Sequence, residues 1–372
     1  MGKIIVAGHV CLDVTPVFAA DRPLPLNEVI VPGKLLQMRD VIISGGGVVA
    51  NTGLALKVLG AETRFMGKIG RDEFGRILSG IFARFGAQND LTVCDNSSTS
   101  FSVVVAPPGT DRVFLHNPGG NHTFCLEDID LDAVRGAAVF HFGYPPLMRS
   151  MYENGGRELL RIFGAVKAAG TPTSLDMAYV DPDSDAAKAD WADIVRRVLP
   201  LTDIFAPSFE EICSMVDPET YHRLLGKSHG EDISRHLSLS RDLLPLAAKL
   251  LTMGAKIILL KCGEAGILLK TAGRGVLSQA GPLFDGWEDL EIFKPSYKPS
   301  RLLSACGAGD ASIAGFLKGF TDGLPPHRCL ACAAAAGACR VEAYDVFSGL
   351  PTFERLIERI DNGWEEQNII KE

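Results

Sequence analysis

Short apolar runs of strand length alternate with helical stretches along most of this chain, and no other feature limits its fold as much. Lys3 to Val10, Thr63 to Lys68, Ala138 to Phe142, Thr173 to Asp176, Asp203 to Ala206 and Lys256 to Lys261 read as strands. Asn51 to Leu59, Phe74 to Phe85, Leu159 to Ala169, Leu243 to Met253 and a stretch beginning near Gly309 read as helices between them. Strands that are apolar throughout belong in a sheet covered on both faces, and a sheet built by strand-helix alternation is mostly parallel. The expected fold class is therefore α/β, a layered α/β/α core around a central, mostly parallel sheet.

Two segments break this rhythm. Residues 14–44 and 97–121 are rich in β-branched residues, Pro and Gly and carry no helical period. Each reads as a pair of strands, and together they predict a small β-sheet projecting from the core as a lid. The expected division is a catalytic core of 1–13, 45–96 and 122–372 with a lid of 14–44 and 97–121. A small projecting sheet leaves an apolar face that needs cover, from substrate or from a second copy, so a homodimer through the lid is a natural expectation. Asp217 to Ser240 is polar, contains Gly226 and Gly230, and reads as a surface excursion with no assigned function.

Composition removes several function classes. With 47% hydrophobic and 22% charged residues among 372, the chain has the balance of a soluble protein with a large core. Its net charge is −8, and no run of Lys and Arg could track a phosphate backbone, which argues against a nucleic-acid partner. No apolar stretch approaches the roughly 18 residues of a membrane span, and the run from Ile4 to Val10 is too short for a signal peptide. A cytoplasmic enzyme without membrane association is the expectation. Nine scattered cysteines fit reduced thiols. Cys329 and Cys332 form a CxxC with His327 and Cys339 nearby, a pattern that raises zinc. They lie in an Ala-rich run without a second CxxC, so small buried core residues are the favoured reading.

The strongest chemical signal is Ser304-Ala305-Cys306-Gly307-Ala308-Gly309-Asp310, which leads into a helical stretch. Small residues let the backbone approach a ligand, and the N–H groups of Gly307, Ala308 and Gly309 would open a helix whose positive end favours an anion. Asp310 either complements the helix dipole or accepts the proton of an attacking hydroxyl. A base beside a phosphate cradle is what phosphoryl transfer needs. Gly45-Gly46-Gly47-Val48-Val49-Ala50-Asn51 is a second glycine turn entering a helix, and it lacks the G-x-G-x-x-G spacing of a dinucleotide site. Gly67-Lys68-Ile69-Gly70-Arg71-Asp72-Glu73-Phe74-Gly75 follows.

These motifs, in this order and separation, resemble the PfkB or ribokinase family of carbohydrate and nucleoside kinases over nearly the whole chain. The N-terminal signature is carried by Gly46, Gly47, Asn51 and the Gly67 to Gly75 segment; the C-terminal one by Gly307 to Asp310 with Gly315. The resemblance implies a ribokinase-like core with a β lid, ATP and Mg²⁺ as cofactors, and a sugar or related alcohol as acceptor. Asp310 would be the general base, with Gly307, Ala308 and Gly309 as the anion hole. Asp13, at the end of the first strand, would bind substrate hydroxyls together with Gly46, Gly47, Asn51 and Asn121. Asn51 also has a plainer reading as a helix N-cap.

Lys261, Gly263 and Gly266 are similar to the family's phosphate-side loop, where many relatives carry Thr in place of Lys261. That lysine either offers charge to the ATP phosphates or points to solvent. Glu211 resembles the glutamate of the family's Asn-x-x-Glu motif, which helps hold magnesium through water. The sequence also departs from the family. Ser304 and Ala305 replace an Asp-Thr pair whose Asp helps form a monovalent-cation site, which puts potassium dependence in doubt. Ser208 replaces the Asn of the magnesium motif, and Cys306 precedes the glycines. A nucleoside kinase, with Phe101 or Phe114 stacking a base, and a catalytically weak sugar or nucleotide sensor are the alternatives to a sugar kinase. Arg112 and His116 could meet an acidic or phosphorylated acceptor, or merely sit on an exposed strand.

Overall fold

Strand β12 (Ile257–Lys261) shows why the core needs two covers. Its residues are all buried, with Ile257 and Leu259 packing into one apolar cluster and Ile258 and Leu260 into another. Alternation of side chains across a strand makes both faces apolar. The computed structural model describes residues 2–20, 22–87, 90–109, 112–343 and 348–370. The other strands are β1 (Ile4–Gly8), β2 (Cys11–Phe18), β3 (Met38–Gly46), β4 (Thr63–Met66), β5 (Lys68–Gly70), β6 (Thr92–Cys94), β7 (Phe101–Val105), β8 (Val113–Asn117), β9 (Val139–Gly143), β10 (Thr173–Leu175), β11 (Ile204–Phe205), β13 (Gly266–Thr271) and β14 (Glu291–Pro295).

Eight of them form the central sheet in the order β14-β13-β12-β11-β10-β9-β1-β4. From β4 to β12 the pairs are parallel, and β13 and β14 add antiparallel strands at one edge. One face is covered by α1 (Gly47–Val58), α2 (Glu73–Ala83), α8 (Ala308–Thr321), α9 (Pro326–Arg340) and α10 (Phe353–Asp361). The other is covered by α3 (Arg149–Ala168), α4 (Trp191–Val198), α5 (Phe209–Val216), α6 (Pro218–Ser228) and α7 (Leu244–Thr252). The α/β layered core with a mostly parallel sheet is as the alternation predicts, and β13 and β14 make that sheet mixed.

The lid is a four-stranded sheet in the order β3-β2-β7-β8. Its first strand starts earlier than the sequence suggests. The chain breaks out of β1 at Gly8, whose φ of +120° is open to glycine, and β2 begins at Cys11. Asp13 therefore lies on a lid strand, not at the end of the first core strand. A further two-stranded sheet of β5 and β6 was not expected from the pattern.

The 217–240 segment also differs from its reading as a polar surface excursion. Asp217 caps α6 by accepting from Thr220 N–H, Pro218 occupies the first turn, and Tyr221, Leu224, Ile233 and Leu237 are buried. Capping and a buried stripe make this segment part of one helical layer.

Helices α8 and α9 approach closely because their contact residues are small. A Cβ on Gly315 would lie 2.5 Å from the Cys332 carbonyl oxygen. Cys329, Cys332 and Cys339 are buried in this contact as core thiols. Gly315→Val should lower unfolding stability by about 1–3 kcal/mol, the usual penalty for overpacking, seen as a lower urea midpoint at unchanged slope.

Candidate active site

Helix α8 begins at a left-handed Gly307, with φ of +74°. Its first turn has backbone N–H groups that no helical carbonyl can reach, the basis of an anion site. Ala308 N–H donates to the Ala305 carbonyl at 3.3 Å. Asp310, in that turn, is only 3% exposed. Three donors hold its carboxylate: Asn51 Nδ2 to Oδ2 at 3.2 Å, Thr52 Oγ1 to Oδ1 at 3.0 Å, and Tyr144 Oη to Oδ2 at 2.6 Å. Burial pushes the Asp310 carboxyl up, while the Tyr144 hydrogen bond, the Lys261 charge and the two other donors oppose that rise.

Asn51 is thus not an N-cap. It sits within α1, one residue before Thr52, and both reach from that helix to α8.

Lys261 does not point to solvent. It is 8% exposed, and its Nζ donates to Asp176 Oδ1 at 2.7 Å. A Cβ on Gly309 would stand 3.4 Å from that Nζ, so the ammonium lies against the opening turn of α8. Burial works against the charged form of Lys261, yet Asp176, Glu211 and Asp310 together hold its pKa above the ordinary range. Asp176 is lifted by burial, and Lys261 counters that rise.

Glu211 forms a capping box with Ser208: the backbone N–H of Ser208 donates to Oε2 at 2.7 Å, and Glu211 N–H donates to Ser208 Oγ at 3.3 Å. Ser208 is thereby the N-cap of α5. Gly263 and Gly266 adopt φ of +55° and +132° in the turn between β12 and β13. Gly266 lies under the sheet edge, where a Cβ would come 2.2 Å from the Lys294 carbonyl oxygen.

The lid brings a polar row to the same region. Register places Ser44, Asp13, Ser102 and His116 side by side across four strands, on one face of the sheet. Cys11 Sγ lies 3.3 Å from Asp13 Oδ1, and Ser102 Oγ lies 3.0 Å from His116 Nδ1. Burial raises the Asp13 carboxyl to about 6, with hydrogen bonds from Cys11 and Ser102 opposing the rise. Gly46 and Gly47 are dictated by crowding. A Cβ on Gly46 would fall 2.2 Å from Asp13 Oδ2, and one on Gly47, at φ of +77°, would fall 2.5 Å from His9 Nδ1. His9 and His116 face each other at 3.4 Å, and burial keeps both below the usual imidazole range. Cys306 links the two halves, since its thiol is influenced by both Asp13 and Asp310; burial pushes that thiol up, against the lowered pKa of a reactive cysteine.

Asn121 is not brought to this cluster. Its side chain is fully buried, with Nδ2 donating to the Val10 carbonyl at 2.9 Å and Oδ1 accepting from Val10 N–H at 3.2 Å, so it pins the turn between β1 and β2. Phe101 lies on the lid face opposite Asp13 and packs edge-on against Phe74, with ring centroids 5.2 Å apart. Phe114 is exposed on the Asp13 face, beneath the Arg112 guanidinium at 5.6 Å. Thr52, Tyr144 and Asp176 are the site members the sequence reading missed. Thr52 follows the Asn51 already singled out, whereas Tyr144 and Asp176 end strands β9 and β10 and carry no local motif.

The fold and this end of α8 define a phosphotransferase of the sugar-kinase type. The chain belongs to the pfkB family of carbohydrate kinases, whose family model matches residues 1–352. It is 26% identical to an uncharacterized sugar kinase of Archaeoglobus fulgidus over 300 residues, 80% of this chain and 98% of that one. Among solved structures, a ribokinase of Arabidopsis thaliana complexed with ribose and ATP superposes with a TM-score of 0.68 at 19% identity, covering 96% of this chain and 98% of its own. A fructokinase of Xylella fastidiosa with bound ATP gives 0.67 at 18%, covering 97% and 98%. No helix among the described residues is long and apolar enough to cross a membrane.

The buried ion pair yields a stability test. Lys261→Met leaves Asp176 as an uncompensated buried charge and should cost about 3–5 kcal/mol in denaturant unfolding. Adding Asp176→Leu should restore most of that loss.

Proposed function

We propose that this chain transfers the γ-phosphoryl group of ATP to a hydroxyl of a sugar or sugar-like alcohol, with Asp310 as general base. The observation that carries the reading is a buried carboxylate in the opening turn of α8, between Lys261 on one side and Asn51 on the other. The acceptor hydroxyl gives its proton to Asp310 as its oxygen bonds to the γ-phosphorus, and the bond to the leaving ADP breaks. The N–H groups of Gly307 and Gly309 and the Lys261 ammonium stabilise negative charge on the transferring group, while the Ala308 N–H of the expected anion hole is engaged by the Ala305 carbonyl. Asp13, with Gly46, Gly47 and the row Ser44, Ser102 and His116, receives the other hydroxyls of the acceptor. Gly263 and Gly266 shape the turn on the nucleotide side.

Mg²⁺ takes oxygen ligands and keeps several of its waters. Glu211 fits a water-mediated role, because no hydrogen bond among the described residues reaches its Oε1. Bound with the nucleotide, the ion would neutralise phosphate charge. A second copy of this chain fits the outer face of the lid, where Val41, Ile43 and Leu115 are exposed.

Phe101 favours a sugar over a nucleoside as acceptor, since its packing against Phe74 removes one of the two lid rings that could stack a base. Asp310→Asn should lower ADP formation roughly 10²- to 10⁴-fold against a panel of sugars and nucleosides, with retained ATP binding by calorimetry. Near-normal turnover would defeat the base assignment. Asp13 accepts from hydroxyls best as a carboxylate, so KM for the acceptor should rise as pH falls through about 6. In Asp13→Asn that dependence should be flat.

A further inference from the structure

Strand β9 delivers Tyr144 into an unusual conformation. Its φ of 65° and ψ of 41° are left-handed, a region that bulky side chains occupy only where the surroundings enforce it. Those surroundings are visible. The preceding Gly143 passes so close to α1 that a Cβ there would lie 2.5 Å from Val48 Cγ2. Pro145 and Pro146 follow, both buried, and each locks its own φ. The ring is held between these constraints, and its hydroxyl donates to Asp310 Oδ2 at 2.6 Å.

The three donors divide unequally over the carboxylate. Oδ2 accepts from both Asn51 and Tyr144, while among the described residues Oδ1 accepts from Thr52 alone. A carboxylate offers about four lone-pair sites, two per oxygen, so the open one is on Oδ1.

We propose that Tyr144 is a positioning residue for the base, its strained turn fixing the phenol on Oδ2 so that Oδ1 is the oxygen that takes the acceptor's proton. The inference rests on the reading of Asp310 as general base. When the proton arrives on Oδ1, Oδ2 becomes the carbonyl oxygen of the acid and still accepts from Tyr144. The phenol therefore holds the carboxyl through both protonation states. Burial and the neighbouring Asp310 push the Tyr144 hydroxyl well above its ordinary pKa, which keeps it a donor. The other charged or titratable groups around this site are His9, whose ring centroid lies 6.1 Å from that of Tyr144, Lys261 of β12 with Glu211 of α5 acting on it, Asp176 just after β10, and Cys306 in the loop before α8. None of them donates to Oδ2.

The test is a ¹³C NMR titration of carboxyl-labelled aspartates, with Asp310 assigned by its loss in Asp310→Asn, so that no acceptor need be known. In Tyr144→Phe the Asp310 titration should move up by about one pH unit, the effect of losing one hydrogen bond to a charged group. Replacing Tyr144 by 3-fluorotyrosine, a stronger donor of nearly the same shape, should move it down. With ribose and fructose as acceptors and saturating MgATP, Tyr144→Phe should lower kcat about tenfold while KM stays within twofold. An unmoved titration in a Tyr144→Phe protein that keeps its melting temperature would overturn the proposal, as would opposite shifts in the two variants. Should Asp310→Asn be inactive while Tyr144→Phe has unchanged titration and kcat, only this inference falls. If Asp310→Asn keeps its activity, the base reading falls with it.

Discussion

Burying charge at the start of one helix is the constraint around which this site is built. Asp310, Asp176 and Lys261 are each less than a tenth exposed, and Glu211 lies close enough to influence the same lysine. Removing a charged group from water carries an effective penalty of several kcal/mol per ion, and attraction within a pair offsets this only with good geometry and further hydrogen bonds. Lys261 and Asp176 meet at 2.7 Å, and Met177 N–H adds a bond to the same carboxylate oxygen at 2.8 Å. Among the described residues no cation hydrogen-bonds Asp310, which relies on three neutral donors and the positive end of α8. An apolar cluster in its place would be as stable or more so. Buried ionisable groups clustered in this way point to a functional role.

Holding those groups together requires close approach of α1 and α8. Asn51 and Thr52 are adjacent on α1, and their short side chains cover the whole distance to Asp310. Each of the two helices is also seated closely on a further neighbour by a glycine. On the sheet side of α1, Gly53 meets Phe65, where a Cβ would fall 2.5 Å from the ring. On α8, Gly315 lets α9 press against the opposite side. Enlarging either contact would tilt a helix, and the hydrogen bonds at its end would open before the hydrophobic core lost much area.

The parts of this arrangement that lie along the chain were legible in the sequence. Apolar strands between amphipathic helices gave the layered core, and the glycine turns at Gly45 to Gly47 and Gly307 to Gly309 marked both helix N-termini. Asp217, Pro218 and Thr220 spell a capped helix start that a reading for polarity alone passes over. The parts assembled across the chain were hidden. Tyr144 and Asp310 are 166 residues apart, and Lys261 and Asp176 are 85 apart. Nothing in local spacing distinguishes such partners from any other tyrosine or aspartate. Asn121 shows the converse. Its setting after Pro118, Gly119 and Gly120 suggested a ligand, whereas both ends of its amide are taken by the Val10 backbone. A motif locates a residue on the chain but not the direction of its hydrogen bonds.

The α8 side and the lid side of the site differ in charge, and that difference bears on what each can hold. The α8 side carries a fixed ammonium and the positive end of a helix, suited to phosphate. The lid side presents hydroxyls, thiols and imidazoles that burial keeps neutral, with Asp13 as the carboxylate among them. Ser44, Asp13, Ser102 and His116 stand in one row at the spacing of neighbouring strands, about 4.8 Å. Side chains at that spacing can each reach a different hydroxyl of one acceptor, so one sheet face can meet several at once. Opening the lid would expose the same groups to water, which satisfies them equally well. On the reading proposed above, selection of the acceptor rests on the geometry of this row and not on the strength of any single contact.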